Sequence, residues 1–141
     1  MRLSRSTLGF VAVIAALVLV GVAAGVTGAL VHREAWRDGG LTIPWGVVLA
    51  LVTAFACVYA GGTLLGGLGG PFAVAGGWVV SVLYITNGRP EGDFLIAQDA
   101  FGNAFAWGGV AVVGGAVIAS SLTQTAGRLR RQRERDPRLG P

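Results

Sequence analysis

Long apolar stretches separated by short polar ones dominate this chain. Residues 8–31 carry no charged side chain, residues 39–88 carry none, and a further apolar run occupies residues 104–123. An α-helix rises 1.5 Å per residue, so about 20 apolar residues cross the hydrocarbon core of a bilayer. The pattern therefore predicts membrane-spanning helices.

Glycine and proline divide the middle apolar run, which is too long for one span. Residues 61–71 read GGTLLGGLGGP, and this composition disfavours one unbroken helix. We therefore predict an all-α integral membrane protein, an antiparallel up-down bundle of four transmembrane helices in one domain, residues 1–126. The predicted spans are 8–31, 44–65, 71–86 and 104–123, followed by a basic, partly disordered tail, 127–141.

Two of these elements have alternatives. The first span could be a cleaved signal peptide, but its 24 uncharged residues exceed the 7–15 of a signal-peptide core. The stretch Gly61–Gly70 could be an unwound element that lines a cavity, as in broken transporter helices. Such elements come in matched pairs within repeated halves, and no repeat is visible here. We favour a retained first helix and a simple turn.

The composition agrees with a membrane protein. Only 13% of the residues are charged, about half of what covers a soluble domain. The single cysteine, Cys57, cannot form an intrachain disulfide, and the single histidine, His32, cannot build a metal site alone. We expect Cys57 to be an apolar filler and His32 an interfacial residue, with no metal or cofactor.

The arginines predict the orientation. Eight of the eleven lie near the termini, whereas the two polar connections hold three, Arg33, Arg37 and Arg89. Cytoplasmic segments are enriched in basic residues, so we expect both termini in the cytoplasm of a bacterial plasma membrane protein. The tail is a candidate contact to anionic lipid, through Arg128, Arg130 and Arg131. We do not infer nucleic-acid binding from the basic charge.

The first polar connection, residues 32–42, separates the first two spans. If the first helix continues one turn, Glu34 and Arg37 are spaced to pair, and Gly39 with Gly40 then ends the helix. Both connections are short, so a four-helix bundle should hold them close together on the outer face.

The second connection, residues 87–103, is the main candidate for function. It carries the candidate recognition residues Arg89, Glu91, Asp93 and Asp99. We expect Asp99 to cap the fourth helix, and at least one acid to pair with Arg33 or Arg37. A calcium site built from the three carboxylates is a weaker alternative, because the spacing matches no known cation loop.

Small residues at a spacing of four predict helix packing. Gly21 and Gly25 form a GxxxG pair in the first span, and Gly114 and Gly115 lie in the fourth. The spans contain no Asp, Glu, Lys, Arg or His, which argues against proton- or ion-coupled transport by one chain. We therefore expect a non-enzymatic accessory or scaffold subunit that binds a membrane partner. The alternative is a transport or channel component formed by an oligomer.

The sequence RPEGD at residues 89–93, followed by a last apolar span and an Arg-rich end, resembles a known family. It is similar to the small actinobacterial four-span membrane proteins of domain-of-unknown-function family 6113. The resemblance implies the four-span fold and marks RPEGD as the signature. It implies no activity and no functional residue.

The predicted orientation can be tested by cysteine labelling in intact cells, in a Cys57→Ala background. Ser4→Cys and Thr125→Cys should resist a membrane-impermeant thiol reagent, whereas Gly40→Cys and Gln98→Cys should react. Labelling of the Ser4→Cys chain without labelling of the Gly40→Cys chain would reverse the orientation.

Overall fold

The computed structural model describes residues 5–87, 96 and 99–135. Its elements in chain order are α1 (Arg5–Val31), β1 (Trp36–Asp38), β2 (Leu41–Ile43), α2 (Trp45–Leu65), α3 (Gly69–Thr86) and α4 (Ala100–Arg135). All four helices are long and apolar enough to cross a membrane. The predicted fold class, an all-α membrane protein with four spanning helices, is confirmed.

The turn between α2 and α3 spans residues 66–68. Gly66 adopts a left-handed conformation with φ of 62°, and its N–H donates to the carbonyl of Gly62 at 3.0 Å. This arrangement ends a helix and favours glycine, because a side chain would clash at positive φ. The stretch Gly61–Gly70 is therefore a turn and two helix ends, and the alternative of an unwound element is wrong.

Helices α1 and α3 pack most closely where both carry glycine. A Cβ atom on Gly21 would overlap the carbonyl oxygen of Val74, and one on Gly25 would overlap the Ser81 hydroxyl. Gly77 of α3 lies in the same way against the α1 backbone. The spacing of Gly21 and Gly25 thus corresponds to a real contact, in which the absence of side chains lets two backbones meet.

Helix α2 contacts both α3 and α4. Its Gly61 meets the backbone of Gly70 in α3, and a Cβ on Gly62 would overlap the Ser120 hydroxyl of α4. The Tyr59 hydroxyl of α2 also donates to Thr123 Oγ1 of α4 at 3.4 Å. Polar and small side chains therefore join α2 to α4 near the end of the membrane span.

The other two predicted packing residues, Gly114 and Gly115, do not lie at a helix contact. Gly114 and Gly115 are exposed, and a Cβ on either would meet no described atom within 4 Å. The face of α4 that packs inward carries Gly109, Val113 and Ala116. Because neighbouring helix positions are rotated by about 100°, Gly114 and Gly115 fall outside that face.

The first connection is a β-hairpin, which the sequence analysis did not predict. Helix α1 ends at Val31, and strand residues Trp36–Asp38 pair antiparallel with Leu41–Ile43. Gly39 and Gly40 form the two-residue turn with φ values of 54° and 85°. Positive φ at both turn residues matches the right-handed twist of a hairpin. The helical extension that would have paired Glu34 with Arg37 is therefore absent.

Helix α4 is longer than the predicted span at both ends. It begins at Ala100 and continues to Arg135, well past residue 123. Arg130 Nε lies 3.2 Å from Glu134 Oε1, one helical turn later, which supports the extension. Arg128 donates to the carbonyl of Gly66 at 2.8 Å. The first part of the basic tail is thus helical and contacts the α2–α3 turn.

The α1–α3 contact predicts that glycine-to-alanine substitution will change the free energy of unfolding in opposite directions at Gly21 and Gly114. Gly21→Ala should lower the free energy of unfolding by about 1–3 kcal/mol, because the methyl group must displace the α3 backbone. Gly114→Ala should be neutral or stabilise by up to about 1 kcal/mol, because alanine favours a helix and the space is open. Thermal unfolding in a mild detergent measures both. Equal effects at the two positions would contradict the assigned contact.

Candidate functional site

An ion pair joins the two polar connections at one end of the bundle. Arg33 follows α1, Asp99 precedes α4, and Arg33 Nη2 lies 2.6 Å from Asp99 Oδ2. The predicted pairing of a second-connection acid with Arg33 or Arg37 is confirmed. We call this region, with the β-hairpin and the first turn of α4, the hairpin end. Both side chains are partly exposed, so the pair contributes little stability and mainly fixes geometry.

Asp99 also caps α4, as the sequence predicted. Its Oδ1 accepts a hydrogen bond from the Gly102 N–H at 2.8 Å, and its carbonyl accepts one from the Asn103 N–H at 2.9 Å. Donation from Gly102 lowers the pKa of the Asp99 carboxyl, and the nearby Arg33 guanidinium lowers it further. Each carboxylate oxygen thus has its own partner.

His32, the residue after α1, is buried inside the bundle. Its side chain is fully excluded from solvent, and Nδ1 donates to the carbonyl of Ala29 at 2.8 Å. The ring stacks on Phe105, with ring centroids 5.2 Å apart. Hydrogen bonding to its own helix and stacking on an aromatic ring turn the imidazole inward. Nε2 has no hydrogen-bond partner among the described residues.

Phe105 lies at the centre of an aromatic cluster that we define as His32, Trp78 and Phe105. Trp78 meets the edge of Phe105, with centroids 5.8 Å apart, and its Nε1 also lacks a described partner. Gly28 and Gly109 leave the space for Phe105 and Trp78, respectively. The sequence alone did not predict this cluster. The one signal for it in the sequence was the pair of glycines, Gly28 and Gly109, that face the rings from their helices.

A cleft of about 390 Å³ lies between α3 and α4 beside the aromatic cluster. Its described lining includes Trp78, Val82, Asn103 and Trp107. No described lining residue is an acid, a base, a cysteine or a histidine. The described walls therefore provide apolar volume with a few amide and hydroxyl groups.

The structure describes only some of the remaining predicted site residues. Arg89, Glu91 and Asp93 lie outside the described residues. Arg130 pairs with Glu134, and Arg128 donates to the α2–α3 turn, at the other end of α4 from Asp99. Within the described part of the chain, no three His, Cys, Asp or Glu side chains are arranged to hold a metal ion. The hairpin end is therefore the candidate site that the described geometry supports.

Comparison with known proteins identifies a family but no function. The model of a family described as "Family of unknown function (DUF6113)" matches residues 2–139. The chain belongs to this family. No curated protein and no solved structure gives a significant match.

The two contacts of Asp99 predict a pH-dependent contribution to stability. The folded-state pKa lies below the ordinary value of 3.8, so the carboxylate stabilises the fold above that pH. The contribution is lost as the pH falls through the lower folded-state pKa. At pH 7, Asp99→Asn should lower the unfolding temperature and Asp99→Ala should lower it more, because Asn still caps a helix.

The deficit of Asp99→Asn should begin to shrink as the pH falls below about 3.8, and it should be smallest once the pH is below the lower folded-state pKa, because the carboxyl is then protonated in the folded chain as well. Asp38→Asn, which removes the same charge from the hairpin, is the control and should not change the unfolding temperature. A deficit for Asp99→Asn that is the same at pH 7 and in acid would contradict the role of the ionised carboxylate.

Proposed function

We propose that this chain is a non-enzymatic accessory subunit of a bacterial plasma membrane, with both termini in the cytoplasm, that binds a membrane partner through its hairpin end. The observation that carries the proposal is the Arg33–Asp99 ion pair, which joins two separate connections into one surface. A surface held in one arrangement loses less entropy when a partner binds.

The β-hairpin adds exposed apolar side chains to this surface. Trp36 is 65% exposed, Leu41 is 64% exposed and Ile43 is 45% exposed. Exposed apolar side chains grouped together and rimmed by polar ones are typical of interaction sites. Tryptophan is also among the residues that contribute most to binding energy at interfaces.

The geometry of Asp99 supports a structural role over a catalytic one. A general base needs a free oxygen within reach of a substrate proton, and ionisation near the working pH. Both Asp99 oxygens have partners, and the lowered pKa makes the carboxylate a weak base. Asp99 is thus better suited to cap the N-terminus of α4 than to take part in a reaction.

A transport or channel component formed by several copies is the second candidate. The observation that favours it is the open face of α4 at Gly114 and Gly115, where a second copy could approach closely. This candidate predicts a homo-oligomer, whereas the accessory role predicts a complex with a different membrane protein.

Co-purification of the tagged full-length chain in mild detergent tests the proposal. An accessory subunit should retain a different membrane protein at fixed stoichiometry. Glu91→Gln combined with Asp93→Asn, or Arg33→Gln alone, should reduce that retention and barely change folding, because exposed charges contribute little stability. Gly114→Leu is the control on α4 and should retain the partner. A homo-oligomer that Gly114→Leu disrupts, with no second protein, would refute the accessory role in favour of the second candidate.

A further inference from the structure

The two strands of the hairpin divide their side chains between two faces. Alternate residues of a strand share a face, and directly paired residues lie on the same face. Trp36 pairs with Ile43, and Asp38 pairs with Leu41, so these four side chains lie together. They line a shallow cleft of about 170 Å³, which we call the hairpin cleft.

The hairpin cleft contains one negative charge, the Asp38 carboxylate. Asp38 is exposed and forms no ion pair with any described residue. Its chain neighbour Arg37 pairs with Thr42 on the other face of the hairpin, so it does not neutralise the cleft. The carboxylate thus stands among an indole and two aliphatic side chains.

This set of groups matches an organic cation. A carboxylate attracts the positive charge, the indole face adds a cation–π interaction, and aliphatic side chains pack on the methylene stem of a lysine or arginine. A calcium or magnesium ion would require several oxygen ligands, and the described cleft supplies one carboxylate. Insertion among lipid tails would remove the carboxylate from water without a partner, which is unfavourable.

We infer that the hairpin cleft binds a basic side chain, an arginine or a lysine, presented by the partner membrane protein. The inference rests on the proposed function for the source of that side chain, and it specifies the chemistry by which the partner is recognised. Charge complementarity selects the basic residue, and the exposed Trp36 supplies the face on which it stacks.

Peptide titration of the full-length chain tests the cleft directly. The isotope-labelled protein is placed in nanodiscs of zwitterionic lipid, and a short peptide with one arginine in an alanine background is added. The control peptide carries citrulline, which has nearly the same shape without the charge. The arginine peptide should shift the indole N–H signal of Trp36 and the amide signal of Asp38, and the citrulline peptide should not.

Variants then assign the contacts. Asp38→Asn should weaken binding of the arginine peptide by up to about fivefold, and Trp36→Leu should weaken it severalfold. Thr42→Ala, on the opposite face, is the matched control and should bind as the unchanged chain does. The series is repeated with Arg89→Gln, so that this arginine of the chain's own second connection cannot compete for the carboxylate.

Equal shifts with the arginine and citrulline peptides would overturn the inference, as would undiminished binding by Asp38→Asn. The comparison of the two peptides uses the unchanged protein. It therefore tests whether the cleft binds a basic side chain even where a variant fails to fold its hairpin. Its outcome is also separate from that of co-purification. A cleft that binds arginine in a chain that forms only homo-oligomers would retain the site and refute the accessory role.

Discussion

Close approach of helix backbones holds this bundle together. Helices in a bilayer gain little from the hydrophobic effect when they meet, because lipid tails are as apolar as leucine. Association must then come from dense packing. At Gly21 and Gly77 the backbones of α1 and α3 are so close that no Cβ fits, and at Gly25 a Cβ would overlap the Ser81 hydroxyl. The backbones of α2 and α3 meet in the same way at Gly61 and Gly70.

That packing brings the end of α1 to the start of α4. His32 then stacks on Phe105, Trp78 meets the same ring from α3, and Gly28 and Gly109 provide the room. Two polar atoms are buried without a described partner, His32 Nε2 and Trp78 Nε1. An unsatisfied buried group costs about 1–3 kcal/mol, so ring packing and neighbouring helix contacts must offset that cost.

The same approach places Arg33 beside Asp99, where one carboxylate caps a helix and holds an arginine. Exposed ion pairs contribute little to stability, so the value of this contact is positional. It relates the first connection, with its hairpin, to the start of α4. The exposed Trp36 and Leu41, on which the proposed recognition depends, belong to the connection that this ion pair joins to α4.

The elements that depend on local chemistry and on the bilayer as solvent could be predicted from the sequence. Three apolar runs, the middle one divided by glycine and proline, predict four spanning helices. The glycine-rich stretch predicts the turn at Gly66, and an aspartate before a helix predicts the cap at Asp99. The tertiary structure decided which faces of the helices meet. Lipid and protein interior are both apolar, so a helix in a membrane carries little polar pattern to mark its buried side. For this reason Gly21 and Gly114 look alike in the sequence, although only Gly21 lies at a helix contact. The burial of His32 depended in the same way on Phe105, a residue far along the chain that only the folded bundle brings against the imidazole ring.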